Sequence, residues 1–390
     1  MLVIDPKGEH AAFELAHGYR RAMGQKIVVL DPFGEVGGAD RFNPFAGVNV
    51  ADDRAVLEWL NVMEAALITH ESGENSHWSN GAASCLRFFL LWMLATPERG
   101  GASFARLFDL LNEGEGGTDR DNPENIFIQA IEHAETTKNK RLKMAGSGLA
   151  NRQGLPSFMS SLFNQLRFIE DLALTQDGAS SFDFSELKRS KITVYVVISG
   201  SKIATHFRWL RLLLMLANAA MEKGERPAQD VVFLLEEFAA LGRLEVIEKA
   251  AGLMRGYGLK LWVILQDLTQ LQEHYRQTWE TFLDNAGAIQ AFGNAGGTTS
   301  EYLSKRLGQK LYRVQESAHL GSQGLAGAAS PVTERREWMP LLPPSQVPLT
   351  FPRWENVNTE NGTRQALPLL LIIKEKSPAK IERLPFDWKK

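Results

Sequence analysis

The chain carries several short apolar runs that no polar residue interrupts, each separated from the next by a stretch of helical spacing. The clearest is "VVFLL", Val231 to Leu235. A strand with one face in water alternates apolar and polar residues, so an unbroken run of strand length marks a strand covered on both faces, as in a parallel sheet. "MLVID" and "KIVVLD" flank a helical segment from Ala11 to Met23. Further on come "ITVYVVI", the helix "HFRWLRLLLMLANAAMEK", "VVFLL", the helix "RLEVIEKAAGLMRGYG", "KLWVILQ" and "AIQAFG". Strand and helix in this alternation predict an α/β protein with a parallel, doubly wound sheet.

Between Asp52 and Arg167 the pattern is helical almost throughout, with "DDRAVLEWLNVMEAALI", "GAASCLRFFLLWMLA", "FARLFDLLNE" and "NIFIQAIEHAE" as the clearest helices. The expected organisation is a first part of the α/β domain over 1–51, an all-α inserted domain over 52–167, and the second part of the α/β domain over 168–390. Within that last part, "ESAHLGSQGLAGAASPVTERRE" is small, polar and aperiodic, which predicts a flexible loop near 316–337. "ALPLLLIIKEK" then reads as a C-terminal strand.

A formal charge of −3 and a pI near 6.3 exclude the strongly basic balance of a dedicated nucleic-acid clamp, so any DNA contact has to come from a local patch. Lys138, Lys140, Arg141 and Lys143 make one basic run, equally readable as a solvated helix face. The single Cys85 excludes an intrachain disulfide and a multi-cysteine zinc site. No apolar segment reaches the roughly 20 residues of a membrane span, so the chain as written reads as soluble. His70, Glu74 and His77 are spaced by loop residues that fix no metal geometry.

The run "VVFLL" ends on Glu236 and Glu237. Ligands of open α/β sheets gather at the carboxyl ends of strands, where one carboxylate can hold Mg²⁺ on a nucleotide while its neighbour polarises water, which is a Walker B arrangement. Otherwise Glu236 opens a loop and Glu237 caps the next helix. Gln266, which ends "KLWVIL", is expected beside Glu236 on the next strand, where a neutral amide can sense a γ-phosphate or orient water. Arg255, in "MRGYG", is expected to end a helix, either as an arginine finger toward a neighbouring subunit or as a cation favoured by the helix dipole. The glycine-rich turn of "GNAGGTTSEYL" could cradle phosphate but lacks a lysine. Thr298, Thr299 or Ser300 reads there as an N-cap.

"FLLEEFAALGRLEVIEKAAGLMRGYGLKLWVILQDLTQLQEHY" and "WETFLDNAGAIQAFGNAGGTTSEYLSKRLG" resemble the TraG/TraD family of type IV coupling proteins. So, in order and spacing, do "DPKGE", "LDPF", "NPF", "HWSNGAASCL", "FDFSELKRSKITVYVVI" and "ATHFRWLRLLL". The resemblance implies a RecA-like P-loop NTPase domain with an all-α insertion, using ATP and Mg²⁺. It further implies a homo-hexamer on the cytoplasmic face of the bacterial inner membrane. There it would deliver relaxase-bound single-stranded DNA or an effector protein to the channel components of a type IV secretion system. On this reading Glu236 serves Mg²⁺, and Glu237, Gln266 and Arg255 are catalytic. The family pattern has Asp then Glu where this chain has Glu236 then Glu237. The family also places a Walker A loop and membrane helices before the "DPKGE" strand, and no G-x-x-x-x-G-K-S/T occurs in these residues. An incomplete sheet is therefore expected, with Val231 to Leu235 lacking a neighbour where the Walker A strand would lie. The alternative function is an ATPase-inactive cargo-binding or scaffold module, from a truncated or split coupling protein.

Overall fold

The computed structural model describes residues 1–70, 76–97, 101–115, 126–150, 154–175, 178–244, 247–248, 254–293, 296–317, 332–353, 355–359 and 362–383. The chain divides into two compact units, Met1–Ile264 and Leu265–Lys390.

The first unit is built on a five-stranded sheet of order β2-β3-β1-β4-β5. Its strands are β1 (Leu2–Asp5), β2 (Lys26–Leu30), β3 (Ile192–Val197), β4 (Val231–Leu235) and β5 (Leu259–Val263). Every pairing is parallel. β1 and β3 are buried along their whole length, whereas β4 alternates buried and half-buried residues and β5 exposes Lys260 and Trp262. Between the strands run α1 (Glu9–His17) and, after β2, a series of helices: α2 (Asp53–Leu67), α3 (Ser76–Ala95), α4 (Phe104–Glu115), α5 (Ile126–Thr136), α6 (Lys140–Ala150), α7 (Leu155–Leu166) and α8 (Ile169–Thr175). α9 (Gly200–Glu222) then crosses from β3 to β4.

The position of β4 corrects an expectation. It pairs with β1 on one side, Leu2↔Phe233 to Ile4↔Leu235, and with β5 on the other, Val231↔Leu259 to Leu235↔Val263, so its backbone has partners on both sides. "MLVID" takes the place thought to be vacant. Among the described residues the outer strands are β2 and β5. The β5 end is the barer one, with Trp262 51% and Ile264 38% exposed.

Two motifs turn out to be architectural. Asp31 of "LDPF", at the carboxyl end of β2, accepts the backbone N–H groups of Glu35, Val36, Gly37 and Gly38 at 2.8–3.2 Å, so its carboxylate is spent on closing a turn. In "NPF", Asn43 accepts the N–H of Phe45, and the Phe45 ring packs edge-on against Trp59 of α2 and Phe104 of α4. Trp59 donates its indole N–H to the Pro44 carbonyl, and Phe104 meets Trp209 of α9. This aromatic cluster joins the helical segment to the sheet's own crossover helix.

The second unit holds α10 (Leu268–Tyr275), β6 (Ala288–Ala291), α11 (Gly297–Leu307), a two-stranded ribbon of β7 (Gln309–Ser317) with β8 (Val332–Pro340), and β9 (Glu355–Thr359), β10 (Gly362–Ile373) and β11 (Ala379–Arg383). β10 pairs antiparallel with β6, β9 and β11. "AIQAFG" thus belongs to an antiparallel sheet and not to the parallel one. Alternate residues of β6 are exposed, the pattern of a strand with one wet face. The loop expected near 316–337 is also bounded by structure: Gln315↔Glu334, Glu316↔Thr333 and Ser317↔Val332 are paired. Residues 318–331 lie outside the described residues. Tyr312, Arg313 and Glu334 to Trp338 are exposed, so this ribbon leaves no apolar periodicity to read.

Candidate carboxylate site at the strand ends

The register of the sheet builds the site. Ile4 stands opposite Leu235, so one step further Asp5 and Glu236 leave adjacent parallel strands at the same edge. Side chains in register on parallel strands point to the same face. After Asp5 the chain must turn at once into α1, and Gly8 makes this possible at φ 67°. A Cβ there would sit 2.6 Å from Val36 Cγ1 and 3.3 Å from Val197 Cγ1. The tight turn brings His10, in the first turn of α1, back over the strand ends.

Asp5 is fully buried. Its Oδ2 accepts the Ala11 N–H at 2.9 Å, while Oδ1 has no hydrogen-bond partner. Burial pushes its pKa up; the Ala11 N–H and His10 pull against this, and Glu236 adds to it. His10 Nε2 lies 3.0 Å from Glu236 Oε1. That hydrogen bond raises the His10 pKa, burial opposes it, and Asp5 reinforces it. One ligand atom from each of Asp5, His10 and Glu236 falls within 4.8 Å of the others.

Glu237 has the left-handed conformation, φ 46°, at a residue with a Cβ, which costs about 1–2 kcal/mol. The turn is held open by its surroundings. Phe238 and Leu241 of the following 3₁₀ turn are buried against α9, the Glu237 carbonyl accepts the Ala240 N–H, and the Ile264 N–H donates to the Leu235 carbonyl. Glu236 reaches His10, and Glu237 forms the strained backbone corner that follows it. Strain of this kind accumulates at functional sites.

Gln266 opens the second unit just after β5, and its backbone N–H donates to Gln270 Oε1. Arg255 lies in the 3₁₀ turn Met254–Tyr257, and its side chain is outside the described residues, as are most residues of the helix expected before it. Glu74 of the "THESGENSHW" stretch is also outside them. The glycine-rich turn before α11 is filled from within. Asp267 Oδ2 accepts the Gly296 N–H and the Thr299 hydroxyl, both at 3.0 Å, and a Cβ on Gly296 would fall 2.2 Å from that oxygen. A carboxylate of the protein occupies the place proposed for a phosphate, and Gly296, not a threonine or serine, precedes the helix.

Asp5 and His10 are the site residues that sequence reading missed. Asp5 carries the same signal as Glu236, a carboxylate ending a buried apolar run, within "LVID".

A family model described as type IV secretory system conjugative DNA transfer matches residues 1–386. The chain belongs to this conjugative DNA-transfer family. Protein VirD4 of Rhizobium radiobacter is 25% identical over 328 residues, covering 82% of this chain and 46% of VirD4. Conjugal transfer protein TraG of Escherichia coli is 23% identical over 369 residues, covering 88% of this chain and 56% of TraG. The chain thus spans about half the length of the curated relatives it matches. Among solved structures, the plasmid coupling protein TrwB in complex with ADP and Mg²⁺ aligns with 98% of this chain and 84% of its own, at a TM-score of 0.60 and 14% identity. That likeness shows that the chain shares the α/β fold of TrwB, built on a parallel sheet. Among the described residues, no helix is long and apolar enough to cross a membrane.

Proposed function

We propose that this chain is the motor part of a conjugative coupling protein, acting as a homo-hexamer on the cytoplasmic face of the inner membrane. Its cargo would be relaxase-bound single-stranded DNA or an effector protein, passed to the channel components of a type IV secretion system. The observation that carries the reading is the placement of Asp5, Glu236 and Glu237 together at the carboxyl ends of two adjacent, central parallel strands, the edge at which open α/β sheets bind nucleotides.

The donors at this edge suit ATP with Mg²⁺. Glu236 offers partly exposed carboxylate oxygens, and Asp5 holds a buried oxygen without a hydrogen bond. Bound Mg²⁺ supplies charge neutralisation on the phosphate oxygens. Glu236 would hold it, directly or through water. Glu237, pre-set by its strained corner, would orient the attacking water and take its proton. Gln266 would sense the γ-phosphate, and Arg255 would stabilise transition-state charge across a subunit interface. On the same reading the helical segment 52–167 is an inserted domain between the two parts of the nucleotide-binding domain, 1–51 and 168–390.

The trans role of Arg255 is tested by mixing subunits in a version of the protein joined to a G-x-x-x-x-G-K-S/T segment. Arg255→Ala and Glu237→Gln subunits, each inactive alone, should regain part of the activity together, because one interface in the mixture pairs an intact Arg255 with an intact Glu237. No recovery in demonstrably mixed hexamers would remove the trans assignment. The 390 residues by themselves should turn over ATP negligibly, since they contain no G-x-x-x-x-G-K-S/T loop to position the β- and γ-phosphates. A rapid, DNA-stimulated turnover by these residues alone would contradict this.

A further inference from the structure

We propose that Asp5, His10 and Glu236 form a site for a divalent first-row transition cation, with Mn²⁺ as the reference case, that loads without nucleotide. The site shares Glu236 with the Mg²⁺ role given above but does not depend on ATP hydrolysis.

Buried polar atoms in folded proteins have partners, and an exception calls for an explanation such as an ion. Asp5 Oδ1 is buried without a hydrogen bond, in a residue with no exposed surface. The helix α1 N-terminus accounts for Oδ2 through the Ala11 N–H and leaves Oδ1 without a hydrogen bond, in a carboxylate that stands within reach of His10 and Glu236. The His10–Glu236 hydrogen bond satisfies Glu236 and still leaves Asp5 unserved. A cation serves all three groups at once. It neutralises two neighbouring carboxylates, one of them taken fully out of water, and it takes the place of the proton shared between His10 Nε2 and Glu236 Oε1.

The donor set selects the metal. Mg²⁺ is a hard cation that prefers six oxygens and gives up its waters reluctantly. An imidazole nitrogen with two carboxylate oxygens suits the softer divalent ions of the first transition row. Ligand atoms spread within 4.8 Å of one another need only small side-chain movements to meet a common ion at about 2.0–2.2 Å. The exposed side of the cluster leaves room for water to complete an octahedron, since the His10 side chain is 49% exposed and that of Glu236 25%. Three ligands from a strand end, a helix start and a neighbouring strand end are held by the sheet register and by Gly8, so the site is largely formed before the ion arrives.

The test uses the full 390-residue chain, Mn²⁺ alone and no nucleotide, followed by electron paramagnetic resonance. One Mn²⁺ per chain should bind and show coupling to an imidazole nitrogen. His10→Ala should abolish that coupling and weaken binding about tenfold or more, and Asp5→Asn should weaken it by a similar factor. An equimolar amount of Mg²⁺ should leave the bound Mn²⁺ in place. Circular dichroism keeps the test fair, because His10 lies at the surface and its loss should leave the fold intact. Absence of Mn²⁺ binding by the unaltered chain, equal binding in both variants, missing nitrogen coupling, or ready displacement by Mg²⁺ would each overturn the proposal. Because no ATP is present, such a result leaves the Glu237 assignment standing, and a hydrolysis defect in Glu237→Gln says nothing about this site.

Discussion

At Glu237 a residue with a side chain occupies backbone space that glycine holds more cheaply, and the consequence is measurable. Glu237→Gly should raise stability by about 1 kcal/mol by releasing the left-handed strain, seen as a higher denaturant midpoint. The same change should remove any activity that needs the carboxylate. A loss of stability instead would mean that the side chain holds the corner in place. Asp5 obeys a related logic with a pH sign. Its pKa is raised by burial, so the folded state binds a proton that the unfolded state releases, and stability from this group is full below about pH 4 and is lost as pH rises through the folded pKa. Asp5→Asn keeps an acceptor for the Ala11 N–H and removes the desolvated charge. The variant should therefore be more stable than the parent at neutral pH, with the advantage shrinking toward pH 4. Urea unfolding at both pH values checks this, and an advantage that grows on acidification would contradict it.

At the scale of elements, the sheet order makes a graded claim. β4 lies between two parallel neighbours and β5 has one among the described residues, so the amides of Val231–Leu235 should exchange hydrogen as slowly as those of Ile192–Val197, with Leu259–Val263 faster. Fast exchange in β4 would restore the vacant-neighbour picture. The turn into α1 is a second test. Gly8→Ala meets both a positive φ and the Val36 methyl at 2.6 Å, and should destabilise by about 2–4 kcal/mol, read by thermal unfolding. The strands of the parallel sheet were legible in the sequence because they read as mainly apolar runs of strand length, although full burial on both faces holds only for β1 and β3, while β4 alternates buried and half-buried residues. Their order was not, because "LVID" carries no mark saying that it would lie against "VVFLL". The β7–β8 ribbon escaped notice for the opposite reason: exposed residues such as Arg313, Arg336 and Trp338 give no periodicity to follow. The glycine-rich turn at Gly296 misled because sequence shows a cradle but not the Asp267 carboxylate that fills it.

For the whole molecule, the family assignment rests on a match along residues 1–386, and the catalytic reading rests on where three carboxylates sit. Glu236 and Glu237 could be found from sequence because charge ends a buried run. Asp5 ends such a run too, but His10 joined the site only through the turn at Gly8, a tertiary fact. If this strand edge drives nucleotide hydrolysis, the loss of one carboxylate should show it. In the chain joined to a segment that supplies a G-x-x-x-x-G-K-S/T loop, DNA-stimulated ATP turnover is compared between the parent and Glu237→Gln, with nucleotide affinity measured alongside. Turnover should fall by about 10²–10⁴-fold, the scale of a lost general base, while affinity for ATP is retained. Turnover within a few-fold of the parent, at unchanged affinity, would contradict it.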